Sequence, residues 1–314
     1  MDFGVLSYVA GAAADLLMPR ECMVCGRKLL HGERRLCTAC LYDLPLTYFW
    51  LQSRNAMADK LNALIQKELE ESESLGPDEA MPDGAGAAAG DGAEDEAPQR
   101  AAEACGADDA PDMTEMGADG AEEDARRTAG TIPYASALAL YHYRAGSGYD
   151  SISKRLKYHG DLAAGRMFGK MLARAVIDSP YFGIPDVVVP VPLHWTREWS
   201  RGYNQAGVIA GAMARELGIP EAPRLLVRRH RTRTQTKLSV VEKAANVKGA
   251  FAVRDSEAAK LAGRESLHIL MVDDVFTTGA TMHECLKALR AWFGAAGMGP
   301  DRLRISVATL GFAG

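Results

Sequence analysis

The stretch MVDDVFTTGATM, residues 271–282, decides how this chain is read. Leu267 to Val272 is a near-continuous apolar run, the pattern of a strand buried on both faces. Two acids follow, Asp273 and Asp274, then a Thr-Thr-Gly turn. Beyond the turn, Met282, Cys285, Leu286, Leu289 and Phe293 recur at three- and four-residue spacing, which predicts an amphipathic helix with Lys287 and Arg290 on its outer side. The order is therefore strand, tight loop, helix. Open α/β sheets place their ligands at the carboxyl ends of strands, where Asp273 and Asp274 are expected. Thr277, Thr278, Gly279, Ala280 and Thr281 would turn backbone N–H groups and hydroxyls toward a phosphate at the start of the helix.

Paired carboxylates beside a phosphate cradle call for a ligand with vicinal hydroxyls next to a phosphate, and ribose 5-phosphate has that chemistry. The stretch resembles the phosphoribosyl diphosphate (PRPP) motif of the type I phosphoribosyltransferases. An ordinary strand-to-helix connection with acids in its turn is the plainer alternative. Against it stands the coincidence, in order, of strand end, acid pair, Thr/Gly loop and amphipathic helix.

Working outward, 137–143 (ALALYHY) reads as an edge strand and 149–177 as a helix pair broken near Gly160. DVVVPVP (186–192) reads as a buried parallel strand ended by its prolines. A helix is expected from about Asn204 to Leu217, with Gly218 as its stop signal. A last strand is expected at 304–312. Strands alternating with helices predict a parallel, doubly wound α/β sheet. Two basic segments accompany it. PVPLHWTREWSRGYNQAG (190–207) offers Arg197 and Arg201, whose guanidinium forks suit phosphate oxygens. RRHRTRTQTKLS (228–239), with Arg233 and Lys237, reads as a basic flap that would close on an anionic ligand, or else as a solvated loop or nucleic-acid contact.

Charge divides the chain further. Residues 52–130 hold 21 acids against 6 bases, net −15, so the remainder is net +10 although the whole is −5. Within that stretch 76–129 is nearly free of large apolar residues and is expected to be disordered, after a helix over 54–74. A solvated insertion is its plain reading, and an electrostatic screen over the basic remainder is the sharper one. The apolar run Phe3–Met18 is short, lacks a basic cluster and contains Asp15, so it is expected to be a packing helix rather than a signal peptide or membrane span. A reducing, cytoplasmic location follows as the expectation, and there cysteines favour metal over disulfides. Cys22-x-x-Cys25 and Cys37-x-x-Cys40, eleven residues apart, predict a tetrahedral Zn2+ site. With four sulfur ligands no position is left for water, so the metal would be structural. The expected organisation is a helix and four-cysteine zinc ribbon over 1–51, the acidic insertion 52–130, and an α/β domain over 131–314.

These segments in their order, namely the ribbon, SISKRLKYHGD (151–161), PVPLHWTREWSRGYNQA (190–206), RTRTQTKLSVVEKAANVKGAF (231–251) and VDDVFTTGATM (272–282), resemble the ComF/GntX family. The resemblance covers 1–51 and 131–314. It implies a type I phosphoribosyltransferase-like fold and a part in competence, DNA uptake or related DNA transactions, with single-stranded DNA and DNA-processing proteins as partners. By position, Asp273, Asp274 and Thr277 to Thr281 would hold the phosphoribosyl group. Arg201, Gly202, Tyr203, Asn204 and Gln205 match an Arg-Gly-aromatic-Asn-Gln box, and Gln235, Leu238 and Ser239 match a Gln-x-x-Leu-Ser segment. Lys243 stands where the family usually has Arg, and the long insertion is a second departure. Transfer onto a nitrogen nucleophile would use Mg2+ with PRPP. Glutamine-amidotransferase machinery is missing, and no base-selecting hood is expected after the last strand, so an enzyme, a phosphosugar-binding adaptor and a zinc-ribbon nucleic-acid binder all remain open.

Overall fold

A computed structural model describes residues 20–74, 134–229 and 248–314. The helix expected within 3–18, the acidic stretch 76–129, and Arg233, Gln235, Lys237, Leu238, Ser239 and Lys243 lie outside the described residues. The chain divides into two compact units, Met1–Leu69 with Pro133–Gly314, and Glu70–Ile132. The four cysteines, the sheet and most of the helix after residue 55 share the first unit.

In chain order the elements are α1 (Thr38–Tyr42), a single 3-10 turn (Phe49–Leu51), α2 (Ala56–Ser74), β1 (Ala137–His142), α3 (Asp150–Tyr158), α4 (Leu162–Ile177), β2 (Val187–Pro190), α5 (Trp195–Arg201) and α6 (Gln205–Leu217). Then follow β3 (Leu226–Arg228), β4 (Phe251–Val253), α7 (Asp255–Ala262), β5 (Leu267–Phe276), α8 (Ala280–Ala295) and β6 (Leu303–Phe312). Four strands form one parallel sheet in the order β1-β6-β5-β2, flanked by helices, and β3 pairs with β4 in a small antiparallel sheet. The expected parallel α/β sheet is present, with ALALYH at one edge.

Length and burial put β5 and β6 in the middle. Both are ten residues long, and they pair from Leu267↔Leu303 to Phe276↔Phe312. That ladder carries β5 past the apolar run and through the acids to Phe276, because β6 supplies Thr309, Gly311 and Phe312 as partners. β2 lies at the other edge, yet all four of its residues are buried. Its outer side is covered by 220–222, where Val188 N donates to Pro220 O (3.0 Å) and Ala222 N donates to Val188 O (2.9 Å), so no open strand edge is left there.

The helices reach the sheet through small residues. A Cβ on Gly169 of α4 would lie 2.8 Å from Ile209 O and 2.9 Å from Ala212 Cβ of α6, so glycine sets how closely the two helices approach. Asn55 opens α2 by accepting from Met57 N (3.1 Å) and Ala58 N (3.0 Å), while its Nδ2 donates to Ala137 O (2.8 Å). Met57, Ala58, Leu61 and Ile65 are buried, which builds the start of α2 into the core although the acidic composition begins before it. Among the described residues no helix is long and apolar enough to cross a membrane.

Gly169→Ala is expected to lose about 1–3 kcal/mol in urea unfolding through overpacking against α6, despite the better helix propensity of alanine. Gly294→Ala on α8, where nothing lies within 4 Å of the added carbon, is expected to be neutral or stabilising by up to about 1 kcal/mol.

Candidate functional site

At the carboxyl end of β5 a cavity of about 240 Å3 is lined by Asp273, Asp274 and the whole of Thr277–Met282, together with Tyr143 and Lys157. The strand ladder ends at Phe276, and the turn Thr277–Gly279 leads directly into α8, whose first N–H groups have no partner within the helix. Gly279 has φ +82°, and a Cβ there would meet Phe276 Cζ at 2.7 Å, so both conformation and space require glycine at the mouth of the loop. The acids and the loop expected to cradle a phosphate therefore face one space.

The two acids differ in their surroundings. Asp274 is buried, accepts from Ser153 Oγ at 2.9 Å and lies 2.6 Å from Lys157 Nζ, both partners coming from α3. Burial works against the Lys157 charge, but Asp274 outweighs it and holds the ammonium above its ordinary value. Asp273 keeps some surface toward the cavity, and its Oδ1 accepts from Asp274 N at 2.8 Å. Desolvation, then the neighbouring Asp274 charge, lift its carboxyl from 3.8 to about 7. Behind it, Cys285 is fully buried with its thiol pushed far up by desolvation, which makes it inert packing.

Neither Arg197 nor Arg201 lines this cavity, and Arg233 and Lys237 are outside the described residues. Arg201 Nη1 instead donates to Gln205 Oε1 at 2.9 Å, and its guanidinium lies 5.7 Å from the Tyr158 ring centroid. The Arg-Gly-Tyr-Asn-Gln box acts as a joint. Gly202 closes α5 in the left-handed conformation, Tyr203 Oη donates to Leu156 O of α3, and Asn204 caps α6 while donating to Val191 O (3.0 Å) just beyond β2. One short segment thus ties α3, and with it Ser153 and Lys157, to the strand end beside Asp274. The charge pattern did not single out Ser153 or Lys157. Their i, i+4 spacing, with Ser153 buried beside Ile152 and Leu156, is the signal that finds them.

A second cleft of about 670 Å3 opens beside the end of β2. Arg166, Arg215, Arg224, Arg228 and Arg254 line it, against only Glu198 and Glu221, with Trp195 and Tyr203 in its wall. Trp195 is 69% exposed and Trp199, one turn on, is 85% exposed.

The sulfur atoms of Cys22, Cys25, Cys37 and Cys40 all lie within 4.8 Å of one another, and Cys25 Sγ is 3.7 Å from Cys37 Sγ. That separation matches the edge of a tetrahedron with metal–sulfur bonds of about 2.3 Å. Each knuckle is formed by the backbone. Gly26 N donates to Cys22 O (2.9 Å), Cys37 N to Cys22 Sγ (3.4 Å) and Cys40 N to Cys37 Sγ (3.4 Å). The backbone N–H of Cys40, and then the Arg27 side chain, pull the Cys37 thiol down to about 6 against its burial, while burial and its three sulfur neighbours push Cys40 upward. The cluster is arranged for thiolates yet resists ionising all four, and a divalent cation resolves that conflict. These four residues therefore fit a structural metal such as zinc. The ribbon is fastened to the sheet unit by Ser151 Oγ donating to Met23 O (2.7 Å), Tyr149 Oη donating to Cys40 O (3.1 Å), and an Arg35–Asp161 ion pair at 3.3 Å.

Because the folded state holds the Asp273 proton more tightly than the unfolded chain, its contribution to stability is intact below about pH 4 and is lost as pH rises through about 7. Asp273→Asn is therefore expected to match the wild type at pH 4 and to exceed it at pH 8, by on the order of 4 kcal/mol at most, in urea unfolding followed across that range. Elemental analysis is expected to find one zinc ion per chain, lost in Cys37→Ser together with ribbon structure seen by amide exchange.

No family model matches the chain. It is 34% identical to competence protein F of Haemophilus influenzae over 140 residues, covering 44% of this chain and 59% of that protein. It is 35% identical to the DNA utilization protein YhgH of Escherichia coli K12 over 106 residues (34% of this chain, 44% of that one) and 30% identical to competence protein ComFC of Bacillus subtilis over 135 residues (43% and 50%). The chain spans about half the length of the curated relatives it matches. Among solved structures, the glutamine PRPP amidotransferase of B. subtilis is 23% identical at a TM-score of 0.28, over 46% of this chain and 26% of that one, a likeness that adds nothing to the fold described above. Over that part of its length, the chain is similar to competence and DNA utilization proteins of the ComF/YhgH kind.

Proposed function

We propose that the chain binds PRPP or a related phosphoribosyl ligand at the carboxyl end of β5. The supporting observation is that the acid pair and the Thr277–Thr281 loop line one cavity of about 240 Å3, the volume of about eight water molecules and the scale of a phosphorylated pentose. In this reading the loop N–H groups and hydroxyls hold the ribose phosphate, and the acid pair accepts from the ribose hydroxyls. Arg197, Arg201, Arg233 and Lys237 are proposed to meet the diphosphate. Mg2+ would be carried by the diphosphate and offset its charge. Transfer, if the chain catalyses it, breaks the anomeric C–O bond, releases pyrophosphate and forms a bond to a nitrogen nucleophile. Asp273 and Asp274 would then steady the positive charge that develops on the sugar.

Calorimetry with PRPP and Mg2+ tests the binding. Asp273→Ala with Asp274→Ala is expected to weaken it more than tenfold, and equal affinity in wild type and double variant would refute the reading. A coupled pyrophosphate assay separates enzyme from adaptor. Release that needs both acids identifies a phosphoribosyltransferase, whereas tight binding without release identifies a sensing module.

The second cleft favours a further role for the same protein, as a cytoplasmic adaptor in DNA uptake or processing. Five arginines track a phosphodiester backbone, and exposed Trp195 and Trp199 offer faces on which unpaired bases stack. Fluorescence anisotropy with a single-stranded oligonucleotide is expected to show salt-dependent binding. In Arg166→Gln/Arg224→Gln/Arg254→Gln the slope of log affinity against log salt should fall by about 2, near 0.7 for each phosphate that is no longer neutralised. An unchanged slope would exclude the cleft.

A further inference from the structure

The acid pair is asymmetric in a way that divides its work. Ser153 Oγ and Lys157 Nζ meet the same atom, Asp274 Oδ2, at 2.9 and 2.6 Å. They stand one turn apart on α3, so a single helix face fixes that carboxylate. α3 is itself held in place, since Tyr203 Oη donates to Leu156 O and Ser151 Oγ donates to the ribbon at Met23 O. Turning Asp274 away would strand a largely covered ammonium without its counter-ion, a costly rearrangement. Asp273 sits on the opposite side of the strand and has no such pair of donors among the described residues. It is the acid left with room to change partners.

We propose that Lys157 and Ser153 are positioning residues that hold Asp274 as a fixed anion against α3 and leave Asp273 as the acid that receives the hydroxyls of a phosphorylated sugar. The inference rests on the phosphoribosyl reading of the cavity. Among the described residues that line the cavity, Lys157 is the sole cation, and it is already committed to Asp274. The charged and titratable groups facing the pair are Lys157 of α3, Tyr141 of β1, Tyr143 just after it, Arg228 of β3 and Cys285 of α8. Of these, Lys157 alone makes an ion pair with either acid. Asp273 is held near 7 by burial and by the charge of Asp274, so it exchanges its proton at neutral pH. A protonated Asp273 can donate to a sugar oxygen and adds no negative charge beside an entering phosphate.

The test compares wild type, Lys157→Met, Lys157→Arg and Ser153→Ala by carbon NMR of the aspartate carboxyls in the ligand-free protein. Calorimetric titration with ribose 5-phosphate from pH 5.5 to 8.5 runs alongside, and the phosphate's own titration is common to every variant. Lys157→Met is expected to move the titration of the pair upward by about one pH unit or more and to weaken binding about tenfold. Lys157→Arg should restore both, and Ser153→Ala, which removes a donor but no charge, should shift them the same way by less. A titration and an affinity unchanged in Lys157→Met would overturn the proposal. Should the titration respond as expected while ribose 5-phosphate binds to no variant, the wild type included, the positioning role stands and the assignment of a sugar ligand falls. If Lys157→Met fails to fold, Ser153→Ala and Lys157→Arg decide the matter by the same two readouts.

Discussion

β5 is hydrogen-bonded on both sides, to β2 and to β6, and its first six residues are buried. A strand so enclosed cannot slide or turn, because a shift of one residue would exchange every side chain between the two faces of the sheet. That constraint places Asp273 and Asp274 at the rim and fixes which acid looks to which side. The loop that follows inherits the same rigidity. Gly279 meets Phe276, and Phe276 is still paired with Phe312 on β6. The Thr277–Gly279 turn is thus attached to the last rung of the ladder.

The second structural dependence runs through α3. Its outer side carries charge, but Asp150, Ile152, Ser153 and Leu156 are buried, and its two polar contacts to Asp274 lie on that covered side. The joint formed by Arg201 to Gln205 and the docking of the ribbon both hold this helix. A metal at the four cysteines would therefore do more than order a small segment. Through Ser151 and Tyr149, which bond to the ribbon, it would steady the helix that orients one acid of the pair.

Charge is distributed unevenly between the two openings. The cavity of the acid pair holds one cation among its described residues, whereas the neighbouring cleft holds five arginines and two carboxylates. Burial pulls Arg228, at the edge of that cleft, below its ordinary range, and the charge of Arg197 acts in the same direction. An anion that bridged the two regions would relieve that repulsion. The similarity to competence and DNA utilization proteins is compatible with the two roles proposed above for these openings.

Much of this is legible in residue order. The apolar run before Asp273, the glycine after the two threonines, the helix stop at Gly218 and the paired Cys-x-x-Cys knuckles are local patterns, and local patterns reflect backbone conformation and burial that neighbouring residues impose on one another. Strand, loop, helix and a four-thiol cluster follow from them. Arg201 shows what residue order leaves out, since its contacts with Gln205 and the Tyr158 ring come from the packing of α5 against α3 and α6. Lys157 and Ser153 lie more than 110 residues from Asp274, and the inequality of the two acids comes from a helix that crosses that distance to meet one of them. Sequence alone determined the motif, the alternation of strands and helices, and the four cysteines, because each is a short-range pattern. Tertiary structure alone decided the strand order, the closing of the acids and the loop around one cavity, and the division between Asp273 and Asp274, because each depends on which distant surfaces are buried together.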